Sequence, residues 1–261
     1  MKLCLLITQY VALRRSMGQH FTSCEYVLKS FALSTTANTD VLDVSPAQVL
    51  FFLGNPTTCN WHRKYYTLSR FYYYAISRGH ISSSPLPKFI PKLPPYFVPY
   101  IYTDDEVRRL LDATSSYRKT YLALDPVTFR AILLLLYGAA LRISEALSLT
   151  IGDVDLDDGI LIVRGTKFYK SRLVPICQQL MDAMTQYKKY RRSADYIESA
   201  GTPFFIGHKG HNLKIPTVQH AFRRLREYAG IHRTDGARYQ PRLHDLRYPN
   251  LNKIHTFFKG T

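Results

Sequence analysis

The chain has 261 residues, 46% of them apolar, enough to bury the core of one large domain or two small ones. Thirty-five lysines and arginines stand against nineteen acidic residues, a formal net charge of +16, and so basic a chain calls for a polyanionic partner, most often nucleic acid. A membrane span and a signal peptide are disfavoured, because Gln9 and Arg14-Arg15 interrupt the apolar run Leu3 to Ile7.

The predicted elements begin with an amphipathic helix over Leu3 to Met17, stopped by Gly18. Thr22 and Glu25 have capping-box spacing and open a second helix through Tyr26, Leu28, Phe31 and Leu33. Ser45-Pro46 starts a third, through Val49 to Leu53. Thr57 or Thr58 starts a fourth, with Trp61, Tyr65, Leu68, Tyr72 and Ala75 as its apolar stripe and Gly79 as its stop. His62, Arg63, Lys64, Arg70 and Arg78 lie on the same helix, as a solvated basic face or a surface for phosphates. Six of the fourteen prolines then fall between Ser82 and Pro99, an extended, semi-rigid linker. This divides the chain into a helical domain over 1–84, a linker over 85–99 and a second domain over 100–261.

Thr103 and Glu106 form another capping box. Asp125 and Pro126 start a helix whose apolar positions Phe129, Ile132, Leu136, Ala139, Ile143 and Leu147 make one core face, so that it delivers Arg142 near its end. Taken alone, Arg142 reads as a surface ion pair with Glu145. Asp157-Asp158-Gly159 is a turn, followed by strands over Ile160 to Arg164 and Ser171 to Ile176 with a basic loop between them. Cys177 to Arg192 reads as a helix with a basic end, Pro203 to Ile206 as a short strand, and Pro216 to Ala229 as a helix made basic by Arg223, Arg224 and Arg226. The fold class is therefore mainly α with a small antiparallel β-sheet.

Cys4, Cys24, Cys59 and Cys177 show no C-x-x-C spacing and read as buried or half-buried thiols of a reducing, cytoplasmic compartment. His208 and His211 have no acidic or cysteine partner close in sequence, so no metal is expected. Neither a Walker-type loop nor a Gly-rich dinucleotide motif occurs, and no cofactor is expected.

Gly138-Ala139-Ala140-Leu141-Arg142-Ile143-Ser144-Glu145-Ala146-Leu147-Ser148-Leu149, followed by a hairpin with a basic tip, resembles the tyrosine recombinase (phage integrase) family of XerC/XerD-like enzymes. His244-Asp245-Leu246-Arg247, about a hundred residues on, resembles that family's His-x-x-Arg box. Val11 to Gly18 resembles the first helix of its core-binding domain. The resemblance implies a SAM-like helical core-binding domain joined to a catalytic domain, the two closing on duplex DNA. It implies metal-free strand cleavage and rejoining through a 3′-phosphotyrosyl intermediate. Arg142 and Arg247 would stabilise the phosphate, His244 would bond it or assist proton transfer, and Lys167, preferred over Lys170, would protonate the leaving 5′ oxygen. Arg63, Lys64, Arg70, Lys170 and Arg172 are the expected DNA contacts, and partner subunits of the same or a related recombinase are expected on the DNA.

The chain departs from the family after Arg247. The family continues with an apolar helix, a histidine or tryptophan roughly two dozen residues on, and then the tyrosine nucleophile. Fourteen residues follow Arg247 here, Pro249 obstructs a helix, and His255 comes too early. The expectation is a C-terminally truncated or frame-disrupted recombinase of a mobile element, inactive alone. The rival readings are a non-catalytic protein that occupies recombination sites, and a helical transcription regulator, which would leave Arg142, Lys167, His244 and Arg247 without a purpose.

Overall fold

The structure, a computed structural model, describes residues 1–35, 38–93, 98–116, 124–165, 171–194, 198–207, 210–237 and 239–248. Two compact units divide the chain, Met1–Phe97 and Val98–Thr261.

The first unit is helical: α1 (Leu3–Ser16), α2 (Thr22–Ser34), α3 (Pro46–Leu53) and α4 (Cys59–Ser77). Ser45 caps α3 in a reciprocal box with Gln48, and Thr58 caps α4 by accepting from the Trp61 amide. Trp61, Tyr65, Leu68, Tyr72 and Ala75 are all buried, so the expected stripe of α4 is the spine of this core. Leu6, Leu28, Phe31, Val49 and Phe71 close around it.

Three expectations for this unit fail. The Thr22 side chain makes no capping bond, because the chain enters α2 through Phe21 in a left-handed conformation and Glu25 instead pairs with Arg15 and Lys29. Tyr26 and Leu33 face solvent, and Val27 replaces them in the core. Cys4 and Cys59 are exposed rather than buried.

The second unit holds α5 (Asp104–Ser116), α6 (Pro126–Gly138), α7 (Ile143–Ser148), β1 (Val154–Asp155), β2 (Ile160–Val163), β3 (Arg172–Pro175), α8 (Gln178–Ser193) and α9 (Ile215–Tyr228). The expected Thr103–Glu106 box opens α5: the Thr103 amide donates to Glu106 Oε2 at 2.9 Å and the Glu106 amide to Thr103 Oγ1 at 3.2 Å. Helix α6, capped by Asp125, is buried nearly all round and packs against α5 and α8. Strands β1, β2 and β3 form an antiparallel sheet in that order, with Leu161 opposite Val174 and Val163 opposite Arg172.

Here too the structure corrects the sequence. The predicted single helix over Arg142 is two, because Ala140 takes φ 50° and breaks the chain between α6 and α7. Strand β1 was not foreseen; two residues are too few for a periodicity signal. Residues 203–206 form isolated bridges, Thr150 to Pro203 and Ile206 to Asn212, and not a strand. Arg191, expected at a basic surface, is fully buried and donates to the Pro203 and Phe204 carbonyls at 2.6 Å each. Arg226 is buried as well, its Nη1 donating to the Pro241 carbonyl. Among the described residues no helix is long and apolar enough to cross a membrane.

Candidate functional site

The break after α6 creates the site. Ala139 ends α6, Ala140 turns left-handed, and Arg142 becomes the N-cap of α7 with extended backbone. Glu145, one turn into α7, reaches back: its Oε2 accepts from the Arg142 amide and its Oε1 from Arg142 Nη1, both at 2.8 Å. Arg172, the first residue of β3, forks onto the same carboxylate through Nη1 at 3.0 Å and Nη2 at 2.9 Å. One buried glutamate thus ties the start of α7 to the foot of the hairpin. Burial pushes the Glu145 carboxyl up, but the bonds from Arg172 and Arg142 outweigh it and hold its pKa at about 2.

The second half of the site is a 3₁₀ turn over Leu243–Arg247. Leu243 and Leu246 are buried, and Asp245, also buried, accepts from the Arg242 amide at 2.8 Å and from Arg242 Nη2 at 3.0 Å. With that face anchored, His244 and Arg247 are left toward solvent. Arg247 Nε donates to the Ala140 carbonyl at 2.8 Å, so the bend between α6 and α7 positions both arginines at once. Among the described residues Arg247 Nη1 and Nη2 meet no acceptor.

The electrostatics show the convergence. Burial lowers the Arg247 pKa, and the charge of Arg142 lowers it further. Burial also lowers the His244 pKa, aided by Arg247, Arg242 and Arg142 and opposed by Asp245. His244 is therefore held toward the neutral imidazole, which can both accept and donate a proton. Arg142, His244 and Arg247, expected as a set, come together from segments about a hundred residues apart. Lys167 and Lys170 lie outside the described residues. Tyr248 follows Arg247, its ring 6.0 Å from that of His244.

In the first unit Arg63 Nη2 donates to Asn60 Oδ1 at 3.0 Å and is exposed. Lys64 is less free than its sequence position implies: its Nζ donates to the Phe52 carbonyl at 2.5 Å and lies 4.3 Å from the Phe52 ring centre. Arg70 is exposed on a groove with Tyr10, Arg14, Tyr73 and Tyr74.

Sequence reasoning missed the double duty of Glu145 and the inward role of Arg172. The signal for Glu145 was present in its three-residue spacing from Arg142; nothing local announces a partner twenty-seven residues away. No group of three or more His, Cys, Asp or Glu residues able to hold a metal occurs among the described residues.

Comparison with known proteins places this geometry in context. The pattern of the phage integrase family matches residues 101–250. The protein y4rB of Sinorhizobium fredii, provisionally named an integrase/recombinase, is 29% identical over 247 residues, 93% of this chain and 78% of its own. The tyrosine recombinase XerA of Thermococcus kodakarensis is 43% identical over 146 residues, 51% of this chain and 49% of its own. Among solved structures, a lambda integrase dimer bound to a core site superposes with TM-score 0.67 at 18% identity, covering 95% of this chain and 88% of that one. The Tn1549 transposon integrase in complex with transposon right end DNA gives TM-score 0.68 at 18% identity, covering 95% and 84%. At that identity the two structures speak for a shared fold.

Proposed function

Because this chain belongs to the phage integrase family, we propose that it is a tyrosine-type site-specific recombinase of a mobile element, acting on duplex DNA in the cytoplasm. The observation that carries the reading is the meeting of Arg142, His244 and Arg247 at one bend. Cleavage of a phosphodiester gathers negative charge on the non-bridging oxygens. Guanidinium forks suit those oxygens, since they stay protonated and bond in pairs. Arg142 and Arg247 take that role, and His244 bonds the phosphate or moves a proton. Lys167, or its neighbour Lys170, gives a proton to the departing 5′ oxygen as a tyrosine oxygen forms the 3′-phosphotyrosyl bond. That bond conserves the energy needed to reseal the strand, so the chemistry calls for no nucleotide or metal.

In these 261 residues Tyr248 is the only tyrosine after His244. It is chained directly to Arg247, which denies it an in-line approach to a phosphate held by that arginine. We therefore assign the nucleophile to a tyrosine outside these 261 residues. Lambda integrase is solved as a dimer on a core site and as a tetramer on a Holliday junction, which supports assembly of several subunits on the DNA.

The test uses the purified 261-residue chain and a nicked duplex that traps covalent intermediates. The expected result is binding without an adduct by the chain alone. A covalent adduct mapped to any tyrosine of these 261 residues overturns the assignment of the nucleophile outside them; absence of binding overturns the recombinase reading itself.

A further inference from the structure

The second unit begins at Val98, and its first residues are bound to those that lead into the 3₁₀ turn. Arg233 is buried, and its Nη1 donates to the Val98 carbonyl at 2.9 Å. Its Nε donates to Asp235 Oδ1 at 2.7 Å, and its amide to Gln240 Oε1 at 3.0 Å. The guanidinium also lies 5.7 Å from the centre of the Tyr100 ring. Tyr100 Oη donates to Glu106 Oε1 at 2.6 Å, so the same ring is fixed to the first turn of α5. One buried cation thus ties the entry of the chain to the loop before the turn that carries His244 and Arg247.

Tyr102 makes the next contact. It is buried, with its ring edge-on to Tyr100 at 5.1 Å and to Phe222 of α9 at 6.5 Å. Its Oη donates to the Arg242 carbonyl at 3.3 Å. That carbonyl also accepts from the Asp245 amide at 3.0 Å, the bond that closes the 3₁₀ turn. Burial, with the Asp245 carboxylate behind it, pushes the Tyr102 phenol up. The hydroxyl therefore stays protonated, a donor and not a nucleophile. Arg226 Nη1 holds the preceding carbonyl, that of Pro241, at 3.0 Å. The start of the turn is gripped from two sides, by α9 and by the entry segment.

Resting on the recombinase reading above, we propose that Tyr102 is a positioning residue for His244 and Arg247, acting through the Arg242 carbonyl and seated by Arg233. So short a 3₁₀ turn is not stiff by itself, and its orientation follows from what grips its ends. Arg247 fixes the far end through the Ala140 carbonyl, and Tyr102 fixes the near end. At 3.3 Å the tyrosine bond contributes little energy; what it sets is direction. Direction matters here, because a misplacement of about 1 Å at a reacting centre costs on the order of a hundredfold in rate.

The test records the His244 imidazole titration and the Arg247 Nε–H resonance by NMR in the 261-residue chain. Tyr102→Phe keeps both ring contacts and removes only the hydroxyl. It is expected to raise the His244 midpoint toward the ordinary 6.5, because a loosened turn gives the imidazole more water. It is also expected to shift the Arg247 signal, as the bond to Ala140 changes. Arg233→Lys keeps the charge beside Asp235 and loses the bond to Val98. It is expected to move both signals the same way, and it carries the test if the phenylalanine variant does not fold. Tyr187→Phe removes another buried hydroxyl of this core, one that accepts from the Ile206 amide. It is expected to lower stability and leave both signals in place. Signals that stay in place in Tyr102→Phe and Arg233→Lys overturn the positioning role and leave the recombinase reading intact. Equal movement in Tyr187→Phe also overturns it, since general loosening of the core then suffices. A wild-type chain that fails to bind duplex DNA at low salt overturns the recombinase reading, while moved signals would still show the hold of Tyr102 on the turn.

Discussion

Glu145 sets the charge balance of the cleft. It is buried and accepts from both Arg142 and Arg172, so its removal unlinks the start of α7 from β3. Glu145→Gln is expected to lower stability by roughly 1–2 kcal/mol at neutral pH, since the two arginines it leaves are partly exposed and regain water, read by denaturant unfolding. Its carboxyl is held at about 2, below the ordinary 4.5. A carboxylate depressed on folding contributes stability that is complete above the unfolded pKa and is lost as pH falls toward the folded one. The gap between wild type and Glu145→Gln should therefore narrow between about pH 4.5 and pH 2. His244, a base, shifts in the same direction. Its pKa is lowered on folding from the ordinary 6.5, by burial first and by Arg247 and Arg242 next. The unfolded chain protonates this residue first, so its contribution is lost as pH falls through 6.5. An imidazole titration by NMR should give a midpoint below 6.5; a midpoint above it would mean that the neighbouring guanidiniums do not act on this ring.

At the scale of elements, the bend between α6 and α7 is the decisive feature. Ala140 adopts φ 50°, where an alanine costs about 1–2 kcal/mol relative to ordinary backbone. Its carbonyl, turned out of the helix, is what Arg247 Nε binds. Ala140→Gly is expected to be neutral or slightly stabilising, since relief of strain offsets the extra freedom of the unfolded chain. Ala140→Val is expected to destabilise by roughly 1–2 kcal/mol and to disturb Arg247, read by thermal unfolding and DNA affinity together. A valine variant as stable as wild type would show that the bend is not strained. The same bend marks where the sequence could be read and where it could not. Asp125-Pro126, Ser45-Pro46 and Thr103–Glu106 were legible because capping is local chemistry. The stripe of α4 was legible because periodicity reports burial. The break at Ala140 was not, since Ile143 and Leu147 continue the apolar spacing of α6 across it. Arg191 and Arg226 were read as surface charge, because their carbonyl partners come from segments that only the fold brings near. The roles expected of Arg142, His244 and Arg247 came from motif resemblance; the bond from Arg247 to the Ala140 carbonyl is visible only in the fold.

At the scale of the whole molecule, the chain is two units, and the segment between them is rich in proline. Leu86 packs on the first core and the Pro87 carbonyl accepts from Tyr65 Oη at 3.2 Å, so the start of that segment is docked. Lys88 and Lys92 beyond it are exposed. Limited trypsin digestion is expected to cut first at one of these two lysines and release two stable fragments. First cuts inside α4 or α8 would contradict two separable domains. The net charge of +16 belongs to the same scale, for it predicts long-range attraction to a polyanion that salt screens.

The most direct test of the account is the affinity of the 261-residue chain for duplex DNA across a salt titration, measured by fluorescence anisotropy for wild type and Arg142→Ala. The account predicts tight binding at low salt, a steep linear fall of log affinity with log salt, and a slope smaller by about 0.9 in the variant, because one phosphate contact is gone. An affinity that is absent at low salt, or a slope that Arg142→Ala leaves unchanged, would contradict a cleft built around a backbone phosphate.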